Sequence, residues 1–243
     1  MATKKESARK PANEKPSNKP SLNANVKIKI RKDGPYEVSG GVPLEQDIPI
    51  SDMEGIPYEW RTGTKYPAQD KYLLCRCGES KTPPFCDETH SNIEFDGTET
   101  AGNVPFLKKA KLIRGEGIDL RDEEDLCAHE GFCDRALGIW TLVDNSDNAE
   151  ARDIVLEEAS DCPSGRLVVL DKDGNEIEPK FKPAIGLIIE DADQGLLGSL
   201  WVRGGIPIEG ARGTKYEVRN RVTLCRCGKS ANKPFCDGTH YDE

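Results

Sequence analysis

Cys75-Arg76-Cys77-Gly78-Glu79-Ser80-Lys81-Thr82-Pro83-Pro84-Phe85-Cys86-Asp87-Glu88-Thr89-His90 recurs, without a gap, as Cys225-Arg226-Cys227-Gly228-Lys229-Ser230-Ala231-Asn232-Lys233-Pro234-Phe235-Cys236-Asp237-Gly238-Thr239-His240. Eleven of the sixteen positions are identical, including all three cysteines and the histidine. Three thiols and an imidazole at this spacing read as a metal-ligand set.

The local chemistry supports that reading. Cys75 and Cys77 are two residues apart, so in extended chain both side chains leave the same face and can share one metal ion. Gly78 allows a sharp bend after the pair. Beyond Pro84, Asp87 is placed to cap a short helix, and His90 then points back one turn later, toward Cys86. The same reasoning pairs Cys225 with Cys227 and Cys236 with His240. Spacing alone leaves two candidates, a structural Cys₃His zinc and a [2Fe–2S] cluster held by three thiolates and one imidazole.

The repeat extends outward from the motif. Gly40-Gly41-Val42-Pro43 is matched by Gly204-Gly205-Ile206-Pro207, and Gly63-Thr64-Lys65-Tyr66 by Gly213-Thr214-Lys215-Tyr216, the Gly-Thr-Lys-Tyr tetrads each beginning twelve residues before the first cysteine of their motif. Val26, Ile28 and Ile30 alternate with Lys27, Lys29 and Arg31 as in a half-buried strand, and Asp33-Gly34 turns the chain into Tyr36-Glu37-Val38. The repeated unit is therefore strand-rich, and the expectation is two β-rich lobes packed together, because one alone has too little core. The first copy carries about fourteen extra residues around Ile48–Trp60, read as an exposed loop.

The material between the copies differs. Phe106–Ile113 reads as a short helical connector, Cys127–Leu137 as loop then helix, Ala149–Ser160 as a helix stopped by Pro163 and Gly165, and Arg166–Leu170 and Ala184–Ile189 as strands. Cys127, Cys133 and Cys162 hold the remaining thiols. C-x₂-C-x₂-C followed by a distant Cys-Pro is a cubane-ligating pattern. Here Glu130 stands at the central position and Cys162-Pro163 supplies the distant one.

The doubled motif, C-x-C-x₂-S-x₃-P-x-C-D-x-T-H, resembles the CDGSH iron–sulfur domain of the mitoNEET-type proteins, over roughly residues 26–97 and 198–243. The second copy reads Cys-Asp-Gly-Thr-His; in the first, Glu88 replaces the glycine. The resemblance implies a [2Fe–2S] cluster at Cys75, Cys77, Cys86 and His90, another at Cys225, Cys227, Cys236 and His240, and an intrachain pseudo-dimer in place of the dimer that single-motif members form. The middle resembles the divergent single-cluster ferredoxin domains that accompany CDGSH motifs. It implies a [3Fe–4S] or [4Fe–4S] cluster on Cys127, Cys133 and Cys162, with Glu130 or His129 placed as a fourth ligand.

Charge and composition set the limits. The 243 residues carry a net charge of −9. Residues 1–20 carry +4, so the remainder carries −13, which disfavours nucleic acid and suits a redox or cluster-acceptor protein with a basic docking surface. No apolar run is long enough to span a membrane. All nine cysteines fall in ligand sets, which fits a reducing, cytoplasm-like compartment without disulfides. The fold class expected is α+β, mainly β: a disordered basic tail (1–22), a first CDGSH lobe (23–97), a ferredoxin-like α/β insert (98–190) and a second CDGSH lobe (191–243), in a monomer. The recognisable chemistry consists of ligands, so the reading is an electron or cluster carrier rather than an enzyme. The alternatives are a multi-cluster redox enzyme and a structural zinc-binding interaction module. Arg76 and Arg226, beside the first cysteines, are either cluster-tuning or plain surface charges.

Overall fold

Alternating apolar and charged residues place β1 (Lys27–Ile30) with Ile28 and Ile30 wholly buried, and the Asp33-Gly34 turn returns the chain as β2 (Tyr36–Ser39). The first copy continues through β3 (Leu44–Ser51), β4 (Pro57–Lys65) and β5 (Lys71–Leu74). Then come α1 (Phe106–Lys109), β6 (Lys111–Arg114), β7 (Asp119–Asp122), α2 (Ile139–Asp144), α3 (Ala149–Asp161), β8 (Leu167–Leu170) and β9 (Glu176–Ile177). The second copy contributes β10 (Ala184–Asp191), β11 (Leu196–Arg203), β12 (Ile208–Glu209) and β13 (Arg221–Leu224). The computed structural model describes residues 25–191 and 194–241. The basic tail expected at 1–22 lies outside them.

The two copies exchange strands. One sheet runs β12-β1-β2-β5 and another β13-β11-β10-β3-β4. In the first, β12 of the second copy lies parallel to β1, Ile28 opposite Ile208. In the second, β3 of the first copy lies parallel to β10, Leu44 opposite Ile185. Each hairpin, β1–β2 and β10–β11, thus accepts a strand from the other copy. The Gly-Gly-x-Pro signature serves this crossing. Gly40 and Gly204 sit at φ 92° and 77°, and a Cβ would lie 2.7 Å from the Val26 backbone in one and 2.3 Å from that of Pro183 in the other. Only glycine lets the chain turn this tightly against the entering strand.

One core results. Ile28, Tyr36, Val38 and Leu74 from the first copy pack with Ile185, Leu187, Val202 and Leu224 from the second. The chain is mainly β, with sheets in both copies and a small α/β middle, as expected from the sequence. The middle has its own antiparallel sheet, β6-β7-β8-β9, with α2 and α3 packed on it through Leu120, Ile139, Val143, Val155 and Val169. Asn148 caps α3, its side chain accepting from the Glu150 and Ala151 amides.

The structure corrects three local expectations. Ile48–Trp60 is not a loop: most of it lies in the β3–β4 hairpin, although residues 51–55, Tyr58 and Glu59 are exposed. Trp60 stacks on Phe132 of the middle region with ring centres 4.5 Å apart and lies 5.0 Å from Trp201. Phe106–Ile113 is one helical turn that passes directly into β6. Cys127–Leu137 holds a 3-10 turn at Phe132–Asp134, and the helix begins only after Gly138, whose φ of 79° breaks the chain direction.

Because both copies share one core, we expect Ile28→Ala and Ile208→Ala each to cost about 2–5 kcal/mol. Urea unfolding followed by amide hydrogen exchange in β2 and in β13 will then give coincident transitions for the two copies. Separate transitions would contradict the shared core.

Candidate metal centres

Each motif is a loop stitched back onto the strand that precedes it. Past β5, the Cys75 amide donates to the Pro84 carbonyl at 2.8 Å and the Cys86 amide to the Leu73 carbonyl at 3.0 Å, so the loop leaves and returns on one strand end. Gly78 makes the bend at φ 85°. The Ser80 hydroxyl donates to the Phe85 carbonyl at 2.6 Å. Asp87 accepts from the Lys81 amide at 2.8 Å and the Thr89 amide at 3.1 Å, fixing the 3-10 turn Thr89–Asn92 that carries His90. The second motif repeats every one of these bonds: Cys225 to Pro234, Cys236 to Thr223, Ser230 to Phe235, and the Ala231 and Thr239 amides to Asp237. Glu88 at φ 67° holds the same left-handed turn as Gly238 at φ 81°, so the substitution in the first copy leaves the geometry unchanged.

The loops bring the donors together in twos. Cys75 Sγ lies 3.7 Å from Cys77 Sγ, and Cys86 Sγ 3.4 Å from His90 Nδ1. In the second motif, Cys225 and Cys227 are 3.6 Å apart, as are Cys236 Sγ and His240 Nδ1. Two thiolates on one tetrahedral ion with bonds of about 2.3 Å lie about 3.8 Å apart, so each pair fits a single metal ion. Among the described residues, no three or more Cys, His, Asp or Glu side chains converge on one ion position.

Burial raises the thiols. It pushes Cys77 up to about 11 and Cys133 up to about 12, and Cys236 also lies well above the ordinary thiol range. In the close Cys225–Cys227 pair, Cys225 is held up first by its hydrogen bond to Cys227 and then by burial. Metal binding at neutral pH therefore displaces protons from these sites. Asp87 goes the other way: hydrogen bonds from the Lys81 amide and then from Thr89 hold its carboxyl down to about 2.

The two arginines of the motifs are scaffold rather than surface charge. Arg76 is fully buried and donates to the carbonyls of Gly34, Gly97 and Arg31 at 2.8, 2.9 and 3.1 Å. Arg226 donates to Gly198 and Leu197 at the start of β11. Each therefore ties its cysteine loop to its own hairpin. A third tie carries no motif: Tyr36 of the first copy donates its buried hydroxyl to the Cys225 carbonyl at 2.7 Å and the Pro234 carbonyl at 3.2 Å.

In the middle, Cys127, Cys133 and Cys162 line one small cavity, together with Glu130, Ser164 and Arg166. Arg166 is fixed by the Asp122 carboxylate at 2.6 and 3.1 Å and lies over the Trp140 ring. Its charge also faces Cys127. Cys162 is held from the second copy: fully buried Arg221, on β13, donates to the Cys162 carbonyl at 2.7 Å, to Ala159 at 2.7 Å and to Leu167 at 3.0 Å. Arg221 was not legible as a site residue, because carbonyl partners leave no mark on sequence. Glu130 is buried, and its Oε1 has no hydrogen-bond partner.

Comparison with protein families agrees with this architecture. The model for the iron-binding zinc finger of CDGSH type matches residues 33–91 and 197–241, and the model for a divergent 4Fe-4S mono-cluster matches residues 113–172. The chain is therefore an iron–sulfur protein in which two CDGSH-type regions flank a divergent mono-cluster region. No curated protein and no solved structure matched it. No helix among the described residues is long and apolar enough to cross a membrane.

Tyr36→Phe removes the hydroxyl between the copies and leaves the buried Cys225 carbonyl unpaired, at a cost of about 1–3 kcal/mol. Hydrogen exchange should quicken across Cys225–Cys236 and stay unchanged across Cys75–Cys86. Equal acceleration in both motifs would contradict this role.

Proposed function

We propose that the protein carries two [2Fe–2S] clusters, one on Cys75, Cys77, Cys86 and His90 and one on Cys225, Cys227, Cys236 and His240, and a [3Fe–4S] or [4Fe–4S] cluster on Cys127, Cys133 and Cys162. It serves in electron or cluster transfer, with an acceptor protein whose docking surface is basic. The single observation that carries this reading is the pairing of donors. A structural zinc gathers its four donors around one ion. A [2Fe–2S] cluster takes two protein donors on each of two irons, and both motifs offer their donors as one Cys–Cys and one Cys–His pair. In the middle, the Arg166 charge beside Cys127 favours the more negative, reduced state of a cluster there. When bound, the clusters supply one-electron chemistry; the chain holds them, orients their ligands and limits water.

Iron and acid-labile sulfide analysis of anaerobically purified protein, with visible absorption, tests the ligand set. The expected content is about seven or eight irons per chain. A colourless protein holding zinc would refute the proposal.

Acid sensitivity tests the histidines. An imidazole binds metal only through an unprotonated nitrogen, and free imidazole takes its proton near pH ~6.5. Hydrogen bonds hold the Asp87 and Asp237 carboxyls below the ordinary carboxylate range, so the loop scaffold persists where the histidine bond fails. Visible absorbance of the [2Fe–2S] sites should decay as the pH falls through about 6. His90→Cys and His240→Cys should each slow the decay of one site and leave the other unchanged. The same decay in all three proteins would remove histidine from the ligand set.

A further inference from the structure

We propose that the three centres stand in a fixed series, with the second CDGSH-type site between the middle site and the first, and that the His129-Glu130 segment is the joint between the middle site and the second. The proposal rests on the iron–sulfur reading above and adds an order to it.

The two CDGSH loops meet directly. A Cβ on Gly78 would lie 2.8 Å from the Cys227 carbonyl oxygen, and one on Gly228 would lie 3.2 Å from the Arg76 carbonyl oxygen and 3.3 Å from the Cys77 Cα. The backbones that carry Cys77 and Cys227 therefore touch across the pseudo-two-fold.

On its other side the second loop meets the middle site. Gly238, between Cys236 and His240, is covered by the His129 ring, and a Cβ there would lie 2.7 Å from it. His129 reaches this place from a left-handed backbone at φ 61°, costly for a residue with a side chain. Its ring stacks on Tyr241 with centres 6.3 Å apart, and Tyr241 lies 4.6 Å from the His240 ring. The buried Glu130 carboxylate sits among Glu190, Tyr241 and Cys236, close enough to act on each electrostatically. Glu190 in turn meets His240 Nε2 at 2.5 Å. Arg221 adds an independent link, since β13 both grips the Cys162 carbonyl and leads straight into Cys225.

The first motif has no such neighbour. Among the described residues, no hydrogen bond, ion pair or ring contact in the structure joins residues 75–90 to residues 113–172. The first copy reaches the middle through its β3–β4 hairpin instead, by Trp60 on Phe132 and the Trp60 indole on the Asp161 carbonyl. The same asymmetry explains one of the five motif positions that differ, Glu88 against Gly238. Glu88 is exposed and free to carry a side chain, whereas the space beyond buried Gly238 is filled by His129.

With clusters held by Cys127, Cys133 and Cys162, by Cys225, Cys227, Cys236 and His240, and by Cys75, Cys77, Cys86 and His90, the residues of the second CDGSH-type loop would lie on the route of an electron exchanged between the other two sites, each transfer oxidising one site and reducing the next with no bond made or broken.

Two measurements test the series. The first is electron paramagnetic resonance of the fully reduced holoprotein. In a Cys75→Ser/Cys77→Ser variant, which keeps the middle and second clusters, the two signals should show magnetic interaction. In a Cys225→Ser/Cys227→Ser variant, which keeps the middle and first, they should add as independent spectra. Interaction only in the latter, or equal interaction in both, would overturn the order. The second measurement is a double-variant cycle read by thermal unfolding of the protein as purified, which tests the joint whether or not the iron–sulfur reading holds. Gly238→Ala should lower the melting temperature, and His129→Ala in the same chain should restore a large part of the loss. Additive losses would show that the two residues do not form the joint.

Discussion

The exchange of one strand between the two copies is the constraint on which the rest of the structure depends. Without the parallel strand that the other copy contributes, β12 in one case and β3 in the other, each copy is left with a three-stranded sheet, β1-β2-β5 or β10-β11-β13. A unit that small buries too little apolar surface to be stable alone. Ile28 opposite Ile208 and Leu44 opposite Ile185 turn two marginal halves into one core. Duplication within one chain also frees the halves to diverge. The first grew the long β3–β4 hairpin, and the second keeps the loop that meets the middle region.

The ligand loops inherit their rigidity from that core. Each loop begins at the end of a strand whose last residue, Leu74 or Leu224, is buried in the core, and is closed by main-chain bonds, a serine hook and an aspartate that accepts two amides. Each motif arginine then spends its hydrogen bonds on carbonyls of the adjacent hairpin, and Tyr36 reaches from one copy to the other's first cysteine. Donor spacing within 0.3 Å in both copies follows from this repetition of bonds, from 3.4 to 3.7 Å. Preorganised donors lose little entropy on binding metal, and thiols raised by burial make that binding the step that expels their protons.

Much of this was legible in the sequence, for reasons that separate local from non-local information. The close approach of cysteine and histidine side chains at i, i+2 and i, i+4, the bend at Gly78 and the α3 helix are local properties of a few residues, and the structure reproduces them; Asp87 accepts from the Thr89 amide but lies one residue before the N-cap Glu88. That the copies would pack together followed from their small cores. Which strand crosses to which sheet did not, because alternation of apolar residues marks a strand's faces and not its neighbour. The β3–β4 hairpin was misread because the residues looked like an insertion when set against the second copy, and what orders them is Trp60 packing on Phe132 and Trp201, far away in sequence. Of the two readings Arg76 offered, the plain surface charge is corrected: the guanidinium is buried and bound to three carbonyls, a structural bracket. Arg221, Tyr36 and the meeting of Gly238 with His129 depend on main-chain partners or on empty space, and neither leaves a motif.

The most direct test of this account is the position of iron itself. Anomalous scattering at the iron edge from a crystal of the native protein should show two closely spaced iron pairs. One pair should lie between Cys75/Cys77 and Cys86/His90, and its pseudo-symmetric mate between Cys225/Cys227 and Cys236/His240. A third, compact group should lie inside Cys127, Cys133 and Cys162. A single metal peak in each motif, strongest at the zinc edge, would contradict it.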